Sequence, residues 1–566
     1  MRPFLPCLLL FTLSTLALPQ DRTNARSMVI SPYGIAATSQ VAASQAGAAI
    51  LSQGGSAVDA AIAANAVLGV TEPDMNGMGG DLFAIYWEAK SGKLYGLNAS
   101  GWAPKALTIG ALKAKGLEHM PDGGIDTVTV PGAVEGWNQL HERFGRMPWK
   151  KLFAPAIFYA ENGFAVQEII GMDWHASASK VRKDPESRRV FLMHDEAPQM
   201  GEVFKNPDVA KALHLLAAGG PSAFYRGEIA KAILATSQEL GGSMASEDLS
   251  DFTAEWVDPI STTYRGWKVY ELPPNGQGMA ALEMLNIMEQ FQPAQAGPLS
   301  VEELHKKIEA MKLAYTDLAQ YNADPRFSKV PVGGLLSKEY AKQRAQLINP
   351  QKANCTPEAG RPPGSDTTYL TVVDREGNIV SLIQSNYSSF GSGITVRGMG
   401  FVLQNRGALF MLDPAKPDAL APHKRPFHTI IPAFMERGDD HIGFGIMGGA
   451  NQPLAHAQFV SNVVDYGMNL QAAMEAARFT VRGNFDVGCK ILIEDRVPEE
   501  ARRQLTGMGH QLDVRGDFSS FMGRGQAIDH NTKSGLNFAA SDARTDGSAE
   551  PELPPGLHFE GASLSK

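Results

Sequence analysis

Two adjacent threonines, Thr367 and Thr368, open a strand-like run directly after a loose segment rich in proline and glycine. A threonine that is exposed by backbone cleavage carries both a hydroxyl and an α-amine, and that amine has a pKa of about 8. The amine can take the hydroxyl proton, so such a residue attacks a carbonyl carbon without a separate histidine. The alternative is a plain strand start, because threonine is a good strand former.

This chemistry also needs backbone donors that hold the oxyanion formed during the attack. Gly448 and Gly449 lie in the stretch GIMGGANQP, after one strand-like run and before a helical one. A glycine pair at such a junction can present two N–H groups to one oxygen. We therefore expect these two glycines to belong to the same site as the threonines.

The sequence contains no motif for metal chemistry. No H-E-x-x-H occurs among the 13 histidines, and neither Cys355 nor Cys489 has a neighbour at metal-ligand spacing. A G-x-S-x-G elbow is also absent, although a Ser-His-Asp triad built from distant residues stays open. We expect no metal and no cofactor.

The elements that must position these residues begin with helices. Two alanine-rich runs, 37–55 and 56–70, predict consecutive helices, and Ser56 with Asp59 forms a variant capping box at the second helix start. A later helix is predicted after Ser300, where Glu303 completes a capping box. Such closely spaced alanines predict a helix layer on a sheet.

The threonines themselves open a predicted hairpin, in which Gly377 and Asn378 can supply the positive φ of the turn. Before it, segment 351–366 has no periodicity and reads as a linker. The remaining runs are β-like or helical. They are predicted as strands at 263–272, 400–403, 429–434 and 441–447, and as helical at 453–478. Sheets flanked by helices predict a layered α/β architecture.

The composition is that of an ordinary globular protein. The chain has 566 residues, which allows one large domain or two ordinary ones, and a net charge of −9 argues against nucleic-acid binding. Residues 1–20 have the charge and apolar core of a signal peptide, so we expect a periplasmic or secreted protein with no membrane segment after signal removal. Cys355 and Cys489 could pair in that compartment, and two free thiols are equally open.

Many ordered motifs resemble the γ-glutamyltransferase family, whose members are self-processing amidases of the N-terminal-nucleophile class. The similarity extends over nearly the whole chain after residue 27. The motifs are AGAAILSQGGSAVDAAIAANAVLGVTEPDMNGMGGDLF, VPGAVEGW, YRGWKVYELPP, EAMKLAYTD, NADPRF, TTYLTVVDREGNIVS, FGSGI, KRP, MGG and ASDAR. The resemblance implies an α/β fold, a four-layer αββα sandwich formed jointly by a large and a small subunit.

Carried onto this chain, the resemblance implies that Thr367 is the nucleophile and that the processing site is the bond between Asp366 and Thr367. The large subunit would then span 27–366, with the linker at its end, and the small subunit 367–566. Both subunits would come from one precursor. The partners implied are a small-molecule amide substrate and an acceptor that is water or an amine.

The same resemblance assigns roles to residues around the nucleophile. Thr368 matches the neighbouring hydroxyl residue, and Ser385 falls where the family keeps a second threonine near the nucleophile's amine. Gly448 and Gly449 match the pair whose amides form the oxyanion hole. Asn405 matches an asparagine of the substrate pocket.

The sequence departs from the family pattern where a γ-glutamyl group would bind. Ser100 stands in place of the arginine that holds the α-carboxylate, and Leu409 in place of the aspartate that holds the α-amine. His428 and Thr429 are approximate counterparts of two serines. A buried ammonium without an acidic partner is costly, so these departures predict a poor fit for the usual donor.

Arg406 replaces a neutral family residue beside Asn405. It can hold a carboxylate by a two-pronged contact, or it can form a structural ion pair. We expect an exported, self-cleaving amidase that passes a γ-glutamyl or related acyl group to water or an amine. The alternatives are an amidohydrolase or acylase for oxamate, glutaryl or similar amides, and an uncleaved, inactive binding or scaffold protein.

Overall fold

The computed structural model describes residues 24–357, 368–481 and 487–557. The predicted signal peptide, Asp366 and Thr367 lie outside the described residues. The helices are α1 (Val41–Ser52), α2 (Ala57–Thr71), α3 (Ile109–Ala114), α4 (Ala133–Phe144), α5 (Trp149–Leu152), α6 (Ala154–Asn162), α7 (Glu168–Val181), α8 (Pro185–Phe191), α9 (Pro207–Tyr225), α10 (Glu228–Glu239), α11 (Ser246–Ser250), α12 (Gly278–Met288), α13 (Val301–Tyr321), α14 (Val332–Leu335), α15 (Lys338–Ala345), α16 (Gln452–Val464), α17 (Leu470–Glu475) and α18 (Glu499–Gly507).

The strands alternate with these helices along the chain. They are β1 (Val29–Ser31), β2 (Ile35–Thr38), β3 (Asp81–Glu88), β4 (Lys93–Ala99), β5 (Phe164–Ala165), β6 (Val203–Phe204), β7 (Glu255–Val257), β8 (Ile260–Tyr264), β9 (Trp267–Glu271), β10 (Thr368–Val373), β11 (Ile379–Ser385), β12 (Ala433–Arg437), β13 (Asp440–Met447), β14 (Phe479–Val481), β15 (Lys490–Glu494), β16 (Gln511–Arg515), β17 (Arg524–Asn531), β18 (Leu536–Ser541) and β19 (Ser548–Pro551).

Two antiparallel sheets of seven strands form the centre of the molecule. The first has the order β1-β18-β17-β13-β12-β9-β8 and the second β19-β2-β10-β11-β3-β4-β7. Each sheet combines strands that precede position 366 with strands that follow position 367. The two predicted subunits therefore share both sheets.

Successive side chains of a strand point to opposite faces of its sheet, so each sheet packs against a layer on either side. Tyr369 and Val373 of β10 pack with Phe434 and Ile528 of the first sheet, so the two sheets lie face to face. Leu370 of β10 points the other way, into a core with α1 and α2. The outer face of the first sheet packs on α12, α13 and α16. The order of layers is α, β, β, α, which confirms the predicted fold.

The local helix signals are largely confirmed. Helix α2 begins after Ser56, whose hydroxyl accepts from the Asp59 amide while Asp59 accepts from the Ser56 amide. At α13, Ser300 caps the Glu303 amide, but the Glu303 carboxylate accepts from Ala294 and Lys306 instead of closing the predicted box. A buried lysine is a stronger partner for that carboxylate than a backbone amide.

The predicted hairpin is present as β10 and β11, and Gly377 has φ +81° in its turn. The strand expected at 400–403 is wrong, because that segment lies outside the sheets and Val402 makes only an isolated bridge to Thr395. The run 263–272 belongs to two strands, β8 and β9, which turn at Arg265 and Gly266. The strand predicted from 429 begins only at Ala433.

Cys355 and Cys489 form a disulfide, with 4.8 Å between their Cα atoms. This resolves the alternative that the sequence leaves open. Cys355 precedes position 366 and Cys489 follows position 367, so the bond joins the two predicted subunits. Across the described ranges, no helix has the length and apolar character needed to cross a membrane.

Candidate active site

Several of the predicted site residues lie at the end of the second sheet where β10 begins. Strand β10 begins at Thr368, which lies opposite Gln384 of β11. The next residue of β11, Ser385, lies opposite Asp81, the first residue of β3. Ser100 directly follows β4, the strand that pairs with β3. The register of three antiparallel strand pairs (β10–β11, β11–β3 and β3–β4) therefore places these polar residues at the same end of the sheet.

Gly448 and Gly449 lie at the corresponding end of the first sheet, between β13 and α16. Their φ angles are +135° and +59°, in the region that favours glycine. The Gly449 carbonyl accepts from Gln277 Nε2 at 2.8 Å, and the same nitrogen donates to the Thr429 carbonyl at 2.5 Å. Within the described ranges neither glycine amide has an assigned acceptor. Both N–H groups can therefore donate to an oxyanion.

Arg406 is the centre of a buried polar cluster. Its Nε lies 3.4 Å from Asp81 Oδ2, and its Nη1 donates to Thr429 Oγ1 at 2.7 Å. His428 Nε2 lies 3.0 Å from the same Asp81 oxygen. These four side chains are fully buried. The structural ion pair that the sequence leaves open for Arg406 is therefore present.

The charges of this cluster follow from burial. Burial lowers the pKa of Arg406 to about 10, although the Asp81 carboxylate opposes the shift, so the guanidinium is charged at neutral pH. Burial and the Arg406 charge lower the pKa of His428 to about 4, so this imidazole is neutral. His428 Nε2–H then donates to Asp81, which leaves Nδ1 as an acceptor.

Two atoms of the cluster have no hydrogen-bond partner among the described residues: Arg406 Nη2, a donor, and His428 Nδ1, an acceptor. Unsatisfied buried polar atoms are costly and are typical of functional sites. The cluster can therefore bind a polar ligand group.

Ser100 and Asn405 are occupied by protein contacts. Ser100 Oγ accepts from Asn275 Nδ2 at 3.1 Å, and the Ser100 carbonyl accepts from Arg425 Nε at 3.2 Å. Asn405 Oδ1 accepts from the Ser388 amide at 3.0 Å, and its Nδ2 donates to the Asp122 carbonyl at 2.7 Å. Both side chains therefore hold loops in place at the site.

A cavity of about 920 Å³ opens beside these loops and is lined by Asn405, Tyr387 and Ser388. Tyr387 stacks on the Arg406 guanidinium at 4.4 Å, and its amide donates to Ser385 Oγ at 2.8 Å. The strand end and the Arg406 cluster are therefore both in contact with one residue of the cavity lining, Tyr387, through its backbone amide and its ring respectively. Leu409 is buried nearby in a 3₁₀ turn, with no carboxylate in its place.

Sequence reasoning missed Asp81, Tyr387 and Gln277. Tyr387 has φ +77°, which is rare for a bulky residue and is common at functional sites, but nothing in the sequence indicates it. Asp81 gives a weak signal, because it is an acidic residue at the start of a buried strand. Its partner Arg406 lies 325 positions away, so the pairing is visible only in the fold.

A second polar cluster, distant in sequence, contains His305, Glu309 and His510. Their potential ligand atoms lie within 4.8 Å of one another. His305 Nδ1 and His510 Nε2 already form a hydrogen bond of 2.8 Å, and Glu309 forms an ion pair with Lys312 at 2.7 Å. His510 Nδ1 has no hydrogen-bond partner among the described residues. The other potential ligand atoms are engaged in protein contacts, and we assign no ligand to the cluster.

Comparison with known proteins gives the family of this chain. Residues 43–552 match the model of the family described as gamma-glutamyltranspeptidase. The chain is 37% identical over 531 residues to the glutathione hydrolase-like YwrD proenzyme of Bacillus subtilis (strain 168), covering 93% of this chain and 98% of that protein. It is 34% identical over 531 residues to the oxamate amidohydrolase proenzyme of Klebsiella pneumoniae, covering 92% and 98%.

Solved structures that resemble this chain include members of the same family. The cephalosporin acylase from Bacillus halodurans superimposes with a TM-score of 0.88 at 41% identity, covering 96% of this chain and all of that one. The gamma-glutamyltranspeptidase of Helicobacter pylori gives a TM-score of 0.54 at 27% identity, covering 61% and 97%. The αββα sandwich is thus that of the N-terminal-nucleophile hydrolases. With most of its length matched in sequence and structure, the chain belongs to the γ-glutamyltranspeptidase family.

Proposed function

We propose that the protein is a self-processing amidohydrolase whose nucleophile is Thr367. The observation that carries this proposal is the approach of two strand ends. Ser385 and Asp81 lie at the end of the second sheet where β10 begins. Strand β13, which leads into Gly448 and Gly449, packs across β10, with Gly445 against Tyr369. Thr367 directly precedes Thr368, the first residue of β10. The relatives that are called proenzymes support processing of this kind.

The first reaction is self-cleavage. The Thr367 hydroxyl attacks the Asp366 carbonyl carbon, the C–N bond breaks, and the acyl group of Asp366 passes to the threonine oxygen as an ester. Water hydrolyses the ester, which gives a carboxylate on Asp366 and a free α-amine on Thr367. The chain is then a large and a small subunit.

The second reaction is acyl transfer. The Thr367 amine takes the hydroxyl proton, and the oxygen attacks the substrate amide carbon. The N–H groups of Gly448 and Gly449 donate to the oxyanion, and the proton passes to the leaving amine. Water or an amine then attacks the acyl ester and releases the acyl group. In this proposal, Ser385 exchanges a hydrogen bond with the α-amine of Thr367.

The acyl group that fits best carries an anion and no α-amine. Arg406 Nη2 is a buried donor without an assigned partner in the described chain, whereas Leu409 gives no acidic contact for an ammonium. A carboxylate that binds Nη2 forms a charge-assisted hydrogen bond in a low-dielectric site. The relatives called oxamate amidohydrolase and cephalosporin acylase favour such a substrate over a γ-glutamyl compound.

We expect the purified enzyme to hydrolyse glutaryl anilide with a kcat/KM at least about ten-fold above that for γ-glutamyl anilide, which is about 1.4 kcal/mol in transition-state binding. The two compounds differ only in the α-amine, so steric fit is matched. Released aniline is measured by absorbance. A preference for the γ-glutamyl compound would instead support the glutathione hydrolase activity that other relatives are named for.

Export is the second part of the proposal. It rests on the signal-like residues 1–20 and on the disulfide, a bond typical of oxidising compartments.

The disulfide gives a direct prediction for the processed protein. Because Cys355 and Cys489 lie on opposite sides of the proposed cleavage site, the two subunits stay covalently joined after cleavage. Denaturing electrophoresis should show one band without reductant and two bands with it. The Cys489→Ser variant should show two bands in both conditions. Two bands from the unreduced wild-type protein would contradict the covalent link.

A further inference from the structure

Glu72 forms the C-cap of α2, and its carboxylate is buried beside the start of β10. Thr368 Oγ1 donates to Glu72 Oε2 at 3.3 Å, and Ser39 Oγ donates to the same oxygen at 2.5 Å. Two hydroxyls thus converge on one carboxylate oxygen. One of them belongs to the residue that directly follows the proposed nucleophile.

The charged groups that face Glu72 come from three other parts of the chain. Arg524 of β17 lowers its pKa, whereas Asp173 of α7 and Asp546 raise it. Arg524 and Asp173 also form an ion pair of 2.5 Å. Arg524 lies opposite Met447, the residue before Gly448. Glu72 therefore lies within electrostatic range of an arginine whose strand partner directly precedes the glycine pair.

We propose that Glu72 is a positioning residue for both reactions of Thr367, because its carboxylate holds the Thr368 hydroxyl and so fixes the chain at residue 367. This inference rests on the proposed function. A charged acceptor holds a hydroxyl more strongly than a neutral one. Fixing the reacting oxygen matters, since a misplacement of about 1 Å can cost on the order of 100-fold in rate.

The protonation state of Glu72 makes this role dependent on pH. Burial raises the pKa of Glu72 to about 7, and the Ser39 hydrogen bond opposes that rise. Above pH 7 the carboxylate is charged and accepts from both hydroxyls. Below pH 7 it binds a proton, and its hold on Thr368 weakens. The rate of self-cleavage should therefore rise as the pH increases through about 7.

We measure self-cleavage and not amide hydrolysis, because residue 367 has no free amine before the bond breaks. The pH profile then contains no titration of that amine. The full chain is made by cell-free translation, and the cleaved fraction is followed by electrophoresis between about pH 5.5 and 8.5, a range that lies above the ordinary glutamate pKa and brackets the raised pKa of Glu72. We expect Glu72→Gln to cleave at least about ten-fold more slowly at the upper end, with no inflection near neutrality. Ser39→Ala should move the inflection to higher pH, since it removes a hydrogen bond that favours the charged form.

Glu283→Gln is the matched control. Glu283 is also buried, and burial raises its pKa well above the ordinary value, but it lies in α12 beside Asp317. Its variant should keep the wild-type pH profile.

Glu72→Gln cleaving with the wild-type rate and pH profile would overturn the inference. Should that variant fail to fold, an unshifted inflection in Ser39→Ala overturns it equally. The proposed function is tested separately, because Thr367→Ala must stay uncleaved whatever the role of Glu72.

Discussion

A Thr367→Ala chain should remain a single polypeptide and lose amidase activity by roughly 10⁴-fold or more, the scale of losing a covalent nucleophile. Both effects have the same cause. The hydroxyl of Thr367 is the proposed attacking group in self-cleavage, and after cleavage the same hydroxyl attacks the substrate. Intact-mass measurement reports the first effect and anilide hydrolysis the second.

Thr371→Ala is the matched control for this variant. Thr371 lies on β10, four residues after Thr367 in the chain; it is buried and donates to the Val380 carbonyl at 3.0 Å. Its removal should cost only about 1 kcal/mol of stability, the typical value of one hydrogen bond, with cleavage and activity kept. Cleavage between residues 366 and 367 in the Thr367→Ala chain would refute the assignment of the nucleophile.

Asp81→Asn should destabilise the fold by roughly 3–5 kcal/mol. Asp81 is the acceptor for both Arg406 and His428, and all three are fully buried. Neutralising the carboxylate leaves the Arg406 cation in a low-dielectric core without its counter-ion. The free energy of unfolding is measured by urea denaturation in the Thr367→Ala background, so that every sample is one uncleaved chain.

Asp251→Asn is the control for the chemical change itself. Asp251 pairs with Lys105 at 3.4 Å, and both side chains are about half exposed, so this variant should cost less than about 1 kcal/mol. Asp81→Asn combined with Arg406→Met should recover part of the stability, because the uncompensated cation is removed. Equal costs for Asp81→Asn and Asp251→Asn would contradict the buried ion pair.

Elements that depend on contacts between residues close in sequence could be predicted from the sequence. The start of α2 at Ser56 and the turn at Gly377 depend on residues within four positions of each other. Glu303 departs from its predicted capping box because its carboxylate accepts instead from Lys306, three residues further along α13, and from the Ala294 amide before the helix. The segment 400–403 has a strand-like composition, but it does not pair with a strand of either seven-stranded sheet.

The family resemblance supplied most of the proposed site residues, although the glycine pair was also expected from the need for donors to an oxyanion. Ser385 and the pair Gly448-Gly449 occupy positions consistent with that resemblance. The Arg406 cluster was half predicted: a cation was expected beside Asn405, but its partner Asp81 was not. Glu72 and Thr368 are 296 positions apart, so their contact follows from how α2 ends against β10. Contacts of this kind depend on strand register and on the packing of layers, neither of which can be predicted from local sequence patterns.

The most direct test of the account is N-terminal sequencing of the wild-type protein after reduction and denaturing electrophoresis. We expect two fragments, of which the smaller begins Thr-Thr-Tyr-Leu at Thr367. A single chain, or a small fragment that begins at any other residue, would contradict the assignment of Thr367 as the self-exposed nucleophile.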